Sequence, residues 1–197
     1  LLRGPSGVIA RRSALVRDLP HDRTNSLAAA ALVLEAGLVE ISGLEDGLAG
    51  FHHPPHRIEP IGELHGAQWF NDSKATTPHA ALTAIRGFER VVLLAGGRNK
   101  GLDLVSLATE SARVKAVIGL GEAGPEVAAA FDGRCPTRLA TSMAEAVELA
   151  ASLSGPGDTV LLSPACASFD WYPTGGYPAR GDDFKQCLKA IAMKEQS

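Results

Sequence analysis

The sequence has 197 residues, 45% hydrophobic and 21% charged, with a formal net charge of −3 at pH 7. That is a soluble globular composition, long enough for one well-buried domain plus part of another, with no bulk attraction for nucleic acid or acidic membranes. No apolar run approaches a membrane span and no basic-then-apolar leader opens the chain, so the expected compartment is the cytoplasm.

Leu1 to Val16 alternates irregularly around Gly4, Pro5 and Gly7, which suits a short hairpin or the last strands of a truncated domain. Asp18 to Asn25 reads as a polar loop opening a strong helix over Ser26–Gly37, rich in Ala and Leu and closed by glycine. A weaker helix is expected over Gly43–Phe51. The prolines between His52 and Pro60 mark a linker, so domains are expected at 1–54 and 55–197. Leu1 is not a start methionine and the opening residues read as mid-domain sequence, so the chain is expected to be a piece of a longer protein.

Beyond the linker the pattern becomes regular. Arg57–Glu63 and Ala67–Phe70 read as a strand pair across His65-Gly66. Strands are expected at Arg90–Ala95, Ala116–Leu120, Thr137–Ala140 and Thr159–Leu162. Helices are expected at Pro78–Phe88, Leu104–Arg113, Pro125–Phe131, Ser142–Leu153 and Asp182–Lys194. Continuous β-branched runs alternating with helices imply an α/β domain, a Rossmann-like, mostly parallel sheet with helices on both faces. Such sheets bind ligands outside the carboxyl ends of their strands.

One stretch organises the rest: Trp69-Phe70-Asn71-Asp72-Ser73-Lys74-Ala75-Thr76-Thr77-Pro78. An apolar run stops abruptly in polar residues, and a helix opens with Pro78 at its first position and Thr76 or Thr77 as cap. Free N–H groups and the positive helix end meet there, which suits an anion. An ordinary capped strand–turn–helix junction is the competing reading. Cys135, Cys166 and Cys187 form neither a ligand pair nor an even disulfide set, and Cys166 reads as packing. The six histidines do not fall at zinc-site spacing, so no metal site is expected within the chain.

His56-Arg57 followed by Asn71-Asp72-Ser73-Lys74-Ala75-Thr76 resembles a signature of the Mur ligases, the ATP-dependent enzymes that add amino acids to the peptidoglycan precursor. Leu93-Leu94-Ala95-Gly96-Gly97-Arg98-Asn99-Lys100-Gly101 and Leu162-Ser163-Pro164-Ala165-Cys166-Ala167-Ser168-Phe169-Asp170 strengthen the likeness. The three occur in family order, and the resemblance runs from His21 to Phe184. It points to the branch that adds D-glutamate to UDP-N-acetylmuramoyl-L-alanine through an acyl phosphate, with ATP and Mg2+ as cofactors. It thereby implies a part in cell wall synthesis, cell shape and cell division. It also implies that residues 1–54 end a central ATP-binding domain, that residues 55–197 bind the amino acid, and that the protein is a monomer.

The resemblance assigns roles by residue. Asn25, Arg57 and Asp72 would contact ATP, at the adenine, the phosphates and the ribose respectively. Lys74 would stand at the reaction centre as the catalytic lysine. Thr76, Lys100, Ser168, Phe169 and Tyr177 would hold D-glutamate, whose two carboxylates need two separate anion sites. Each has a plainer alternative: Asn25 as a helix cap, Arg57 in a surface ion pair, Lys100 solvated, Ser168 forming a turn.

Two departures stand out. Asp22 replaces an asparagine expected near the adenine. The segment between Ser168 and Arg180 is longer than the family's by about two residues, which implies a reshaped, mobile lid and an altered amino-acid pocket. The glycine spacing of residues 96–101 does not make a Walker A loop, so the phosphate cradle and the Mg2+ ligands are expected upstream and the chain alone is expected to be inactive. Two rival readings remain: a non-catalytic Rossmann-like module for a nucleotide or acidic metabolite, and a Mur-type ligase for another amino acid.

Overall fold

The computed structural model describes residues 1–4 and 7–195, so the Pro5-Ser6 tip of the expected hairpin lies outside the described residues. The chain divides into two compact units, Leu1–His53 and Pro54–Ser197.

In the first unit, β1 (Leu2–Gly4) and β2 (Gly7–Ala10) pair antiparallel. Helix α1 covers Pro20–Glu35 and α2 covers Leu44–Ala49. The expected polar loop over Asp18–Asn25 is therefore corrected: the helix already runs from Pro20. Proline suits its first position, and the Asp22 carboxylate accepts the Leu19 N–H at 3.1 Å, satisfying an otherwise orphaned donor. Asn25 is thus inside the helix and exposed, not a cap.

In the second unit, six strands form one sheet: β3 (Glu59–Leu64), β4 (Ala67–Asn71), β5 (Val91–Gly96), β6 (Val114–Leu120), β7 (Thr137–Ala140) and β8 (Thr159–Ala165). The order is β3-β4-β8-β5-β6-β7; β3 runs antiparallel to β4 and every other pairing is parallel. The α/β, mostly parallel architecture expected from the apolar runs is what the chain adopts. The β3–β4 hairpin turns on His65 and Gly66, at φ 54° and 75°, the positive angles a two-residue hairpin needs. Pro60 is tolerated because β3 lies at the edge.

Central β5 is buried at every position. Val92 and Leu94 join Val160, Leu162, Ala116 and Ile118 in a cluster with α5 (Met143–Leu153) and α6 (Gly176–Glu195). Alternation in a strand turns Leu93, Leu161 and Val117 to the other face, whose cover is α3 (Pro78–Ile85), α4 (Gly124–Ala130) and the helical turns between β5 and β6. Two boundaries differ from expectation. Val105–Arg113 is 3-10 helix, broken at Glu110, instead of an α-helix. Helix α6 starts at Gly176, not Asp182, because Pro178 is compatible with a first turn. No helix among the described residues is long and apolar enough to cross a membrane.

Candidate functional site

The site grows from the chain's path through the sheet. After β4 the chain steps to β5 and outward through β6 and β7, then returns to insert β8 between β4 and β5. Chain connections diverge from the carboxyl ends of β5 and β8, which is where open α/β sheets form a crevice. The turns after β4, β5 and β8 carry the three motifs found in the sequence.

The turn after β4 is held by backbone bonds to β8, with Asp72 N–H donating to Leu162 C=O at 2.8 Å and Ala165 N–H to Ala75 C=O at 2.9 Å, and by its own side chains. Asn71, fully buried, accepts the Ser73 N–H on Oδ1 at 3.1 Å and donates through Nδ2 to His56 Nδ1 at 3.0 Å. The Asp72 carboxylate accepts the Ser163 hydroxyl at 2.7 Å and the Ile58 N–H at 3.2 Å. Thr77, not Thr76, caps α3, accepting the Ala80 N–H at 3.4 Å. Thr76 is left half-buried at the helix entrance.

Arg57 precedes β3 instead of beginning it, because the backbone bends sharply there. His56 and Ile58 on either side have φ of 61° and 47°, a left-handed conformation unfavourable for a β-branched residue. The bend is tied to the turn after β4 by Lys74 N–H donating to His56 C=O at 3.0 Å and by the Ile58–Asp72 bond. Arg57 is therefore presented on the surface from a strained, anchored segment.

The turns after β5 and β8 are joined by reciprocal backbone bonds between Arg98 and Ala167, at 2.8 and 3.2 Å. Gly97 sits against Ala167 with φ 123°, and a Cβ there would come within 2.3 Å of the Ala167 carbonyl oxygen. The exposed Lys100 ammonium lies 5.5 Å from the Phe169 ring, and the Lys74 ammonium 6.0 Å from the Tyr177 ring. Phe169 is half exposed, whereas Ser168 is buried with its hydroxyl making no hydrogen bond among the described residues.

Arg180 is the residue that sequence reasoning missed. It is 2% exposed and reaches Ser73 Oγ at 2.9 Å, Ser73 C=O at 2.8 Å and Cys166 C=O at 3.2 Å. Burial brings its pKa down to about 10, against the opposing pull of Asp170, so it stays charged at neutral pH. The same burial raises the Cys166 thiol to about 11, which leaves it protonated and supports packing over nucleophilic chemistry.

The lid expectation is also corrected. Tyr177 and Pro178 belong to α6, and Trp171 and Tyr172 pack on the core cluster. The Tyr172 hydroxyl donates to Asp183 at 2.5 Å, and burial followed by that bond pushes its pKa upward. Asn25 belongs to the other unit, as does Asp22, whose carboxylate is taken by Arg17 at 2.8 Å and by the cap of α1. Burial alone would raise the Asp22 pKa, but the Arg17 bonds lower it overall.

A family model described as "Mur ligase, glutamate ligase domain" matches residues 56–166, more than half of the chain and all three motif-bearing strand ends apart from the last residues of the β8 turn. The chain belongs to the Mur ligase family. Among curated Mur ligases it is 42% identical, over 187 residues, to the UDP-N-acetylmuramoylalanine–D-glutamate ligase of Chlamydia caviae. That alignment covers 93% of this chain and 44% of the relative, so the chain spans less than half the length of the curated protein it matches.

Solved structures share the Mur ligase fold at low identity. UDP-N-acetylmuramate–alanine ligase from Thermotoga maritima superposes with a TM-score of 0.66 at 13% identity, covering 90% of this chain and 40% of that one. A MurF ligase from the same organism, solved with ADP, gives 0.60 at 16%, covering 85% and 38%.

Proposed function

We propose that this chain is part of an ATP-dependent ligase that joins D-glutamate to UDP-N-acetylmuramoyl-L-alanine, a step of peptidoglycan precursor synthesis carried out in the cytoplasm by a monomer. The name carried by the 42% identical relative supports the substrate pair. The observation that carries the reading is the pairing of two ammonium groups with two aromatic rings along one sheet edge. Lys74 from the turn after β4 lies over Tyr177, and Lys100 from the turn after β5 lies over Phe169. One ammonium is thus offered to a carboxylate of the amino acid and the other to the acyl phosphate, the two anions that such a reaction must hold side by side.

In this reading Lys100 takes one carboxylate, and Ser168 with the backbone of Phe169 takes the other. Thr76 at the α3 entrance and the Tyr177 ring complete the pocket, and Lys74 faces the acyl phosphate that the glutamate amine attacks. Orientation and charge stabilisation provide most of the acceleration in such a step. Held by both ends, the amino acid loses the freedom that would otherwise oppose attack.

ATP would supply the phosphoryl group that activates the carboxylate. Arg57, exposed on its strained bend, has the fork geometry for phosphate oxygens. Asp72 is 4% exposed and committed to Ser163 and Ile58, so any contact with a ribose would use its remaining acceptor capacity. Among the described residues no group of three or more His, Cys, Asp or Glu stands together where it could hold a metal.

The test is ADP release by the parent enzyme with both substrates present. Release that depends on D-glutamate and fails with L-glutamate supports the assignment. Release driven by a different amino acid overturns it. The 197-residue chain alone, which has no G-x-x-x-x-G-K-[ST] sequence, is expected to release none.

A further inference from the structure

Arg180 is a buried cation whose hydrogen bonds all go to neutral oxygens. Its guanidinium meets Ser73 Oγ and C=O on the turn after β4, and Cys166 C=O on the turn after β8 through both Nη1 and Nη2. It also lies against the turn after β5, since a Cβ on Gly97 would stand 3.2 Å from Nη1. Burying a charge is expensive, and an apolar side chain of similar size would fill the same space more cheaply. What only arginine offers is a planar fork that satisfies several oxygens from two chain segments at once.

We propose that Arg180 is a positioning residue that locks the Ser73–Lys74 turn against the Cys166–Ser168 turn, and so sets the distance between the reaction centre at Lys74 and the carboxylate seat at Ser168. The proposal rests on the functional reading above for what the site holds. Ser73 closes the circuit: its hydroxyl accepts from Arg180 and donates to the Tyr177 carbonyl oxygen at 2.8 Å. One serine therefore fixes Arg180, the start of α6 and the ring beneath Lys74. Arg180 touches no reacting atom in this scheme; it acts through the turns that carry Lys74 and Ser168.

The test is amide hydrogen exchange on the full chain, without ligand, comparing wild type with Arg180→Lys. Lysine keeps the charge and loses the fork. Peptides over residues 71–76 and 164–169 should both exchange about tenfold faster or more, the effect of losing charge-assisted bonds, while β6 and α5 exchange as in wild type. Protection restored by lysine at either turn, or a uniform rise across the unit, would overturn the proposal.

Should Arg180→Lys fail to fold, Ser73→Ala serves instead, removing one acceptor of the guanidinium. It should speed exchange at 164–169, a segment to which the Ser73 side chain makes no hydrogen bond among the described residues; unchanged protection there contradicts the lock. D-glutamate affinity, measured in parallel, should fall about tenfold in the variant. If the wild-type chain binds no D-glutamate, the functional reading fails and the exchange result still judges Arg180.

Discussion

The Ser163 hydroxyl donates to Asp72 Oδ2 at 2.7 Å, a buried bond that ties β8 to the turn after β4. The residue that the family motif would assign to the nucleotide is thus also a structural anchor. Ser163→Ala leaves a buried carboxylate short of a partner and should cost about 1–3 kcal/mol. Urea unfolding checks this, and an unshifted midpoint would mean that the bond contributes nothing net.

Gly97 is required by its surroundings. At φ 123°, with a would-be Cβ 2.3 Å from the Ala167 carbonyl oxygen, alanine suffers both backbone strain and a clash with main chain. Gly97→Ala should therefore destabilise the chain by well over about 1 kcal/mol. Gly133→Ala, also at positive φ but with nothing within 4 Å, should cost less. Thermal melts of the two variants compare them directly, and equal losses would show that the close approach is unimportant.

At the opposite ends of the strands, Asp158 is buried and accepts from Arg90 at 2.7 Å, Lys115 at 2.6 Å and the Gly155 N–H at 2.9 Å. Burial works to raise its pKa, but these bonds outweigh it and the net shift is downward. A lowered folded-state value means that the stabilisation is complete above the ordinary carboxylate pKa of about 3.9 and drains away as pH falls through the lower folded value. Asp158→Asn should lose about 1–3 kcal/mol at neutral pH, and its deficit against wild type should shrink below about pH 4. A deficit constant down to acid pH would contradict the charged-pair account.

Lys100 is exposed and Ser168 makes no side-chain hydrogen bond among the described residues. Lys100→Ala and Ser168→Ala should therefore each weaken D-glutamate binding about tenfold, the usual value of a charged or buried hydrogen bond, with melting temperature almost unchanged. Calorimetric titration and thermal melts separate the two effects. A variant that loses stability instead would recast its residue as structural.

The strands were legible because a central parallel strand must be apolar on both faces, and Val91–Ala95 and Val160–Leu162 could hardly be anything else. Ser163-Pro164 hid the rest of β8, since a polar residue and a proline read as its end. The start of α1 was hidden by Asp22, Arg23, Thr24 and Asn25, which look like loop until Pro20 and Asp22 are recognised as a helix opening. The motifs fall on three turns along one edge of the sheet, but they do not reveal which residues hold those turns in place. Arg180 looks like one more solvated charge ahead of Gly181, Asp182 and Asp183. Its burial depends on Ser73, Gly97 and Cys166, which are far away in sequence, and no local pattern reports such a meeting.

The central claim is that the turns after β4, β5 and β8 form one seat for a doubly negative amino acid. Titrating the isotopically labelled chain with D-glutamate at millimolar concentrations, and following backbone amide resonances, tests it most directly. Saturable shifts should concentrate at residues 73–77, 98–101 and 166–169 together, and be weaker with L-glutamate. Shifts confined to one of these turns, or none that saturate, would contradict it.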